Sequence, residues 1–412
     1  MFEVKRKEIM QVQGLELTDI AEEFGTPLFV YDGEKIVQQI NKLKNGFSGA
    51  PTRIKYAVKA LTNVSILKLM KSQGIGVDAV SIEEIKLCMH AGYEPSEIMY
   101  TPNCVGFDEI KEAVELGAMI NLDNLPMLEK FGQAYGGKVP VAIRINPRIM
   151  AGGNSKISVG HIHSKFGIPT SQLPEVIQIA EKYGMVINGL HVHTGSDILD
   201  AEVFLRGANV LFQEAPKFPD LKFIDFGGGF KIAYREDDPS TDMERVGREV
   251  TAAFNEFCKS YGHQLELWLE PGKFLVSEAG TLLVETNVVK ETPEIAFVGV
   301  NSGLNHLIRP MFYDAYHEVI NISGQSKEKK PYNVVGYICE TDTLAADRKL
   351  EEVKEGDILA FKNAGAYSFS MASNYNSRLR PAEVLVWKGK ANLIRKKEEF
   401  ADLLKNQVIL DI

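Results

Sequence analysis

The sequence predicts an α/β protein: a (β/α)8 barrel followed by a mainly antiparallel β domain. Three observations carry that prediction. Eight short apolar runs recur from residue 53 to residue 270, amphipathic helical stretches lie between most of them, and the texture changes to β-rich runs with few helical patterns after about residue 275. The expected division is 33–275 for the barrel and 1–32 plus 276–412 for the β-rich domain, to which the first thirty residues would lend a strand.

Taken in order, Leu15 to Phe24 reads as a helix and Leu28 to Tyr31 as a strand, with Gly25 and Pro27 between them. Asp32-Gly33 opens a helix whose apolar positions are Ile36, Ile40 and Leu43. The barrel strands are expected at 53–59, 77–80, 98–101, 119–123, 141–146, 187–193, 223–226 and 265–270, with helices such as 65–72, 82–91, 107–116 and 173–183 between them. Eight is the number that closes such a barrel, and a doubly wound open sheet is the alternative. The later strands are expected at 280–288, 294–300, 332–338, 357–361 and 384–387, with 326–330 as a charged loop.

The whole-chain properties narrow the function. The chain has 412 residues, 45% hydrophobic and 25% charged, as an ordinary globular protein does. A formal net charge of −9 argues against nucleic acid or an anionic membrane as the main partner. No apolar run reaches the roughly 18 residues of a membrane span. The first residues carry charges but no apolar stretch, so no secretion signal is expected. Cys88, Cys104, Cys258 and Cys339 form no CxxC pair, and reduced thiols in a cytoplasm are the expected state.

In a (β/α)8 barrel the chemistry lies at the C-terminal strand ends. Those ends hold Lys59, Asp78, Asp123, Asn146, His193, Gly227 to Gly229 and Glu270. A lysine there suits Schiff-base chemistry, because desolvation frees its lone pair; a snorkelling lysine is the ordinary alternative. Three glycines after a strand let backbone N–H groups approach an anion, although such runs are often only tight turns. His191 and His193 would share one strand face, yet no HExxH or CxxC accompanies them, so no metal is expected. A core histidine satisfied by a hydrogen bond is the alternative for His191. Ser196 lies in a turn suited to an anion. Pro271 and Gly272 stop the last strand and leave Glu270 in the mouth, either as a structural ion pair or beside a protonated ring nitrogen. Cys339 sits among polar residues at a strand end, where a thiol could act as an acid; most free cysteines are inert. The run 363–376 is rich in small and amide residues, which let backbone approach a ligand.

Read together, YAVKA at 56–60, KFGI at 165–168, HTGS at 193–196, GGGF at 227–230, EPGK at 270–273, LIRPMFYDAYH at 307–317, CET at 339–341 and GAYSFSMASNYNSRLRPAEVL at 365–385 span nearly the whole chain. The sequence resembles the barrel-type (fold-type III) pyridoxal-phosphate decarboxylases, and among them the diaminopimelate decarboxylases. The resemblance implies an alanine-racemase-like arrangement of barrel and β domain, pyridoxal 5′-phosphate as cofactor, and decarboxylation of meso-2,6-diaminopimelate to L-lysine and CO2, the final step of lysine biosynthesis. It implies that Lys59 links covalently to the cofactor and that His193 stacks on its ring. Ser196, Gly227, Gly228, Gly229, Pro271, Gly272, Lys273 and Tyr367 would hold its phosphate end, and Glu270 would pair with its ring nitrogen. Arg309 and Tyr313, with Lys273 and Tyr367 nearby, would bind the substrate's distal carboxylate, and Glu340 its distal ammonium. Cys339 would be the acid that protonates the product. Cys339 and Glu340 would reach the site from a partner subunit, which implies a homodimer.

Two positions depart from the family pattern. Lys273 stands where the family usually has arginine, a planar fork that lysine cannot imitate. Asn301 and Ser302 stand where an aspartate usually precedes the Arg309 motif. Other readings are a decarboxylase of ornithine, arginine or carboxynorspermidine, an amino-acid racemase, or a non-catalytic relative. Arg309 with Tyr313 favours a distal carboxylate, which ornithine lacks. A cysteine acid and the long C-terminal motif disfavour a racemase. A binding-only relative would be expected to lack Lys59 or Cys339.

Overall fold

The computed structural model describes residues 10–148, 163–324, 326 and 328–412. These residues divide into two compact units: Gln38–Ala233 with Pro239–Leu275, and the N-terminal part through Val37 with Tyr234–Asp238 and Val276–Ile412.

The first unit is a closed ring of eight parallel strands: β1 (Thr52–Ala57), β2 (Gly76–Ala79), β3 (Ile98–Tyr100), β4 (Met119–Leu122), β5 (Val141–Asn146), β6 (Ile187–His191), β7 (Phe223–Asp225) and β8 (Glu266–Leu269). Neighbours in sequence are neighbours in the ring, β5 pairs with β6, and β8 pairs with β1 to close it. The expected strands all form, within a residue or two at each end. β1 stops at Ala57, and Val58–Ala60 turns away from the sheet as a short 3-10 helix. Met99, Ala142, Phe223 and Trp268 pack into one cluster. They come from strands on opposite sides of the ring, so the cluster fills the barrel interior. Phe223 stacks on Trp268 with ring centroids 3.6 Å apart, and Lys55 Nζ lies 4.7 Å from the Trp268 ring. Helix starts are capped as their residues dictate: Asn63, Ser81, Asn124 and Asp242 each accept a first-turn N–H.

The second unit is a mixed sheet in the order 343–351, 329–335, 296–300, 280–291, 28–32, 382–387 and 390–395, with 358–361 also paired to 280–291 and 319–321 paired to 358–361. Leu28–Asp32 is central, antiparallel to Gly280–Glu291 and parallel to Ala382–Trp387. Leu17, Ile20, Leu28, Val30, Leu283 and Val384 form its core.

Three details differ from expectation. The first helix starts at Leu17, because Leu15–Glu16 pairs with Gln11–Val12. The charged loop expected at 326–330 ends early: Lys329 and Lys330 open a strand against Thr343–Glu351, while Lys327 lies outside the described residues. The strands Val319–Asn321, Thr343–Glu351 and Lys390–Arg395 carry no clear apolar alternation, and pairing alone makes them strands.

Candidate active site

The barrel's strand ends converge through glycine. A Cβ at Gly228 would lie 2.3 Å from the Glu270 carbonyl oxygen, and one at Gly229 would lie 2.1 Å from that of Gly195. Gly227 and Gly229 also have φ of +67° and +102°, which side chains resist. The loops after β6, β7 and β8 therefore meet backbone to backbone. Gly227 O accepts from Glu270 N at 2.7 Å, and Gly229 O accepts from Ile198 N at 2.9 Å. Ala57 N donates to Pro271 O at 3.1 Å, tying the end of β1 to the same centre.

Glu270 is the anion of this centre. Its Oε2 lies 3.1 Å from His191 Nε2, and the two side chains are 8% and 2% exposed. Asn121 Nδ2 is 2.9 Å from His191 Nδ1. With Asn121 donating, the histidine proton sits on Nε2, within ion-pair distance of the carboxylate but not aligned to bond it. The expected core histidine is thus the partner of the expected mouth carboxylate. Burial opposes ionisation of Glu270, but His191, His193 and Lys59 outweigh it and bring its carboxyl down to about 2. Burial and the Glu270 charge push the carboxyls of Asp78 and Asp225 well above the usual range. Glu270 Oε1 is buried and receives no hydrogen bond from any described residue.

His193 is neutral for a related reason. Desolvation, Arg144 and Lys59 push it down to about 3, and its Nδ1 accepts from Gly228 N at 3.3 Å. Lys59 is not the buried lysine of its strand. β1 ends before it, so Lys59 is exposed while Val58 and Ala60 beside it are buried. The desolvated amine is Lys55, 2% exposed, which burial brings down to about 8 and which donates to Glu97 O at 2.9 Å. Lys59 still acts electrically on the centre, favouring the ionised forms of Glu270, Asp78 and Glu84. Lys273 Nζ lies 2.5 Å from Asp197 Oδ1, one residue beyond half-buried Ser196.

Sequence reasoning left out Asn121, Arg144, Asp197 and Asp225. Arg144 had a signal: it is the one charge in Val141–Asn146, 8% exposed and 4.4 Å from the Phe166 ring. Asp225 precedes the triple glycine and accepts from Gly227 N at 2.7 Å. The ligand atoms of His191, Asp225 and Glu270 lie within 4.8 Å of one another, the only such grouping among the described residues that a metal would accept. Asp123 and Asn146, also expected at strand ends, are taken up locally: Asn103 Nδ2 donates to Asp123 at 2.5 Å, and Asn146 Nδ2 donates to Phe166 O at 3.0 Å.

The other expected residues belong to the second unit, in two groups. Arg309 opens the short helix Arg309–Tyr313; it is 7% exposed, donates from Nη2 to Tyr234 Oη at 3.2 Å, and lies 5.8 Å from the Tyr313 ring. Its Nε is buried and meets no acceptor among the described residues. Cys339 and Glu340 are exposed and face the turn Tyr375–Ser377. Tyr375 Oη donates to Glu340 Oε1 at 2.7 Å, and Asn376 Nδ2 donates to Cys339 Sγ at 3.1 Å. Neither Tyr375 nor Asn376 had been given a role, since only folding brings their turn to Cys339. Tyr367 is half-buried with a φ of +55°.

The family described as pyridoxal-dependent decarboxylase, pyridoxal binding domain, matches residues 33–277. The diaminopimelate decarboxylase of Methanothermobacter thermautotrophicus is 38% identical over 98% of this chain and 97% of its own. The crystal structure of diaminopimelate decarboxylase from Helicobacter pylori complexed with L-lysine is similar with a TM-score of 0.88 and 32% identity, covering 95% of this chain and 98% of that one. The enzyme of the same name from M. jannaschii, in co-complex with L-lysine, gives a TM-score of 0.90 at 30% identity over 98% and 97%.

Proposed function

This chain belongs to the pyridoxal-dependent decarboxylase family, and from that premise we propose that it decarboxylates meso-2,6-diaminopimelate to L-lysine and CO2, closing lysine biosynthesis. The family's cofactor is pyridoxal phosphate. The residues present fit it: Glu270 Oε1 is buried and receives no hydrogen bond from an N–H group of the described residues, which leaves it for a protonated ring nitrogen, and the glycine turn clears backbone for an anionic group. The buried Glu270 carboxylate beside His191 at the barrel mouth is the observation that carries the reading.

When bound, the cofactor supplies an electron sink for the pair left as CO2 departs. The rest falls to the chain's own side chains. Lys59 holds the cofactor covalently through its amine. Glu270 would hold a proton on the ring nitrogen, with His191 Nε2 beside it at 3.1 Å. Neutral His193 would lie against the ring and exclude water from that face. Ser196, the 227–229 backbone, the 270–273 turn and Tyr367 hold the phosphate. Arg309, with Tyr313, takes the substrate's distal carboxylate in a charge-assisted bond. Glu340 takes the distal ammonium, and Cys339 Sγ gives the proton that replaces CO2. Exposure of Cys339 and Glu340 in the single chain supports a homodimer in which each subunit lends these residues to its partner's site. No helix among the described residues is long and apolar enough to cross a membrane, and the four cysteines are free thiols. Those thiols support a cytoplasmic setting.

A decarboxylase of another basic amino acid, such as ornithine, arginine or carboxynorspermidine, is the second reading. The Nε of buried Arg309, which meets no acceptor among the described residues, favours diaminopimelate, because ornithine brings no carboxylate to that end. The experiment is a visible spectrum of the purified protein, then addition of meso-diaminopimelate with detection of CO2 and lysine. A cofactor band lost in Lys59→Ala, with CO2 release, is expected. A band without CO2 would redirect the substrate to the other amino acids. No band after added pyridoxal phosphate would sink the reading.

A further inference from the structure

We propose that Asn376 and Tyr375 are positioning residues for proton delivery: the Asn376 amide brackets the Cys339 sulfur and stabilises it once its proton has left, while Tyr375 holds Glu340. The inference rests on the reading of Cys339 as the acid and adds the groups that serve it.

The contacts are specific. Asn376 Nδ2 donates to Cys339 Sγ at 3.1 Å, and the thiol can donate to Asn376 Oδ1 at 3.4 Å. One amide therefore accepts from the thiol and donates to the sulfur. Tyr375 Oη lies 3.8 Å from Sγ and donates to Glu340 Oε1 at 2.7 Å. The hydroxyl proton is thus committed to the carboxylate, and the oxygen's lone pairs are left toward the sulfur. Hydrogen bonds to Glu340 and Cys339 push the Tyr375 phenol up, so it stays protonated at neutral pH.

The backbone is arranged to hold this pair. Asn376 and Ser377 have φ of +53° and +54°, a region that L side chains avoid and asparagine tolerates best among non-glycine residues. Such a conformation persists only where its surroundings impose it. Arg378, next in the chain, lies 3.9 Å over the Tyr337 ring, two residues before Cys339. Asn374 Nδ2 donates to Arg378 O at 3.0 Å and to Glu398 Oε2 at 2.6 Å. On the other side, buried Asp342 accepts from Ile338 N at 2.9 Å and from Leu304 N at 2.7 Å, fixing the Cys339 loop. Both partners are pinned before any substrate arrives.

The step balances simply. The S–H bond breaks, a C–H bond forms at the carbon that lost CO2, and sulfur keeps the electron pair as a thiolate. A donor to the thiolate becomes charge-assisted at that moment and lowers its energy. Water returns the proton to sulfur.

The test is the pH dependence of iodoacetamide alkylation of Cys339 in the holoenzyme, read by mass spectrometry of its peptide so that exposed Cys104 does not interfere. Asn376→Asp is isosteric and keeps the left-handed tolerance; Asn376→Gly keeps the backbone and deletes the amide. Both should move the alkylation midpoint upward, Asn376→Gly by about one pH unit and Asn376→Asp by more, because it also adds negative charge. Both should lower kcat about tenfold or more with KM within about twofold. Tyr375→Phe should instead raise KM about tenfold, through a loosened Glu340. Unmoved midpoints in both Asn376 variants, with Cys339→Ser inactive, would overturn the proposal alone. Full activity in Cys339→Ser would overturn the reading beneath it, and the proposal with it.

Discussion

Lys273 Nζ lies 2.5 Å from Asp197 Oδ1, so the ammonium that ends the EPGK turn is neutralised by a carboxylate just past the HTGS turn. The side chains are 9% and 25% exposed. A lysine in place of the family's arginine thus comes with its own counter-charge, and an incoming anion would compete with Asp197 for it. Asp197→Ala should cost about 1–2 kcal/mol, because it takes the nearest carboxylate from a buried ammonium. Urea unfolding measures this, and the double variant Lys273→Met with Asp197→Leu should recover most of the loss.

Glu270→Gln keeps the shape of the His191 partner and removes its charge. If the carboxylate holds a proton on the cofactor ring, CO2 release should fall about 100- to 1000-fold. Cofactor content, measured by absorbance after gel filtration, should stay near the parent value. Parental kcat in this variant would contradict the assigned role.

Acid should weaken the second unit through two histidines. Burial brings His306 and His317 each down to about 4 from an ordinary 6.5. His306 bonds Leu379 O at 3.0 Å, and His317 bonds Lys362 O at 2.9 Å. The unfolded chain takes up these protons below about pH 6.5 and the folded chain does not until about pH 4. Their contribution is complete above 6.5 and falls away toward 4, by up to about 3 kcal/mol per histidine. The urea midpoint should drop between pH 7.5 and pH 5, and His306→Gln or His317→Gln should flatten the drop.

Glu383 ties three strands of the same unit. It is fully buried, accepts from Tyr31 Oη at 2.8 Å, and pairs with Arg395. Glu383→Ala should cost about 1–3 kcal/mol, since it takes the carboxylate acceptor from the buried Tyr31 hydroxyl while Arg395, 42% exposed, turns to solvent. Arg395→Ala should cost more, about 3–5 kcal/mol, because it takes the cation from a fully buried carboxylate. Chemical denaturation of both variants ranks them.

Much of the fold was legible along the chain. A parallel strand buried on both faces writes itself as a local apolar run, as in Val141–Asn146, and the helices between the strands carry their own period and caps. The chemical residues were legible because their motifs are contiguous: a lysine after a strand, three glycines, a Glu-Pro-Gly stop. The strands Thr343–Glu351 and Lys390–Arg395 were not, because half-exposed antiparallel strands take their state from the neighbour they pair with.

Partnership was decided by tertiary structure alone. His191 of β6 meets Glu270 beyond β8 only because a ring closes, Asn376 meets Cys339 only because a turn crosses to a loop, and whether Lys59 or Lys55 is the desolvated amine depends on where β1 stops. Sequence determines which groups exist and where each strand ends. Protonation depends on distance and burial, which the chain acquires only when remote segments are brought within a few ångströms.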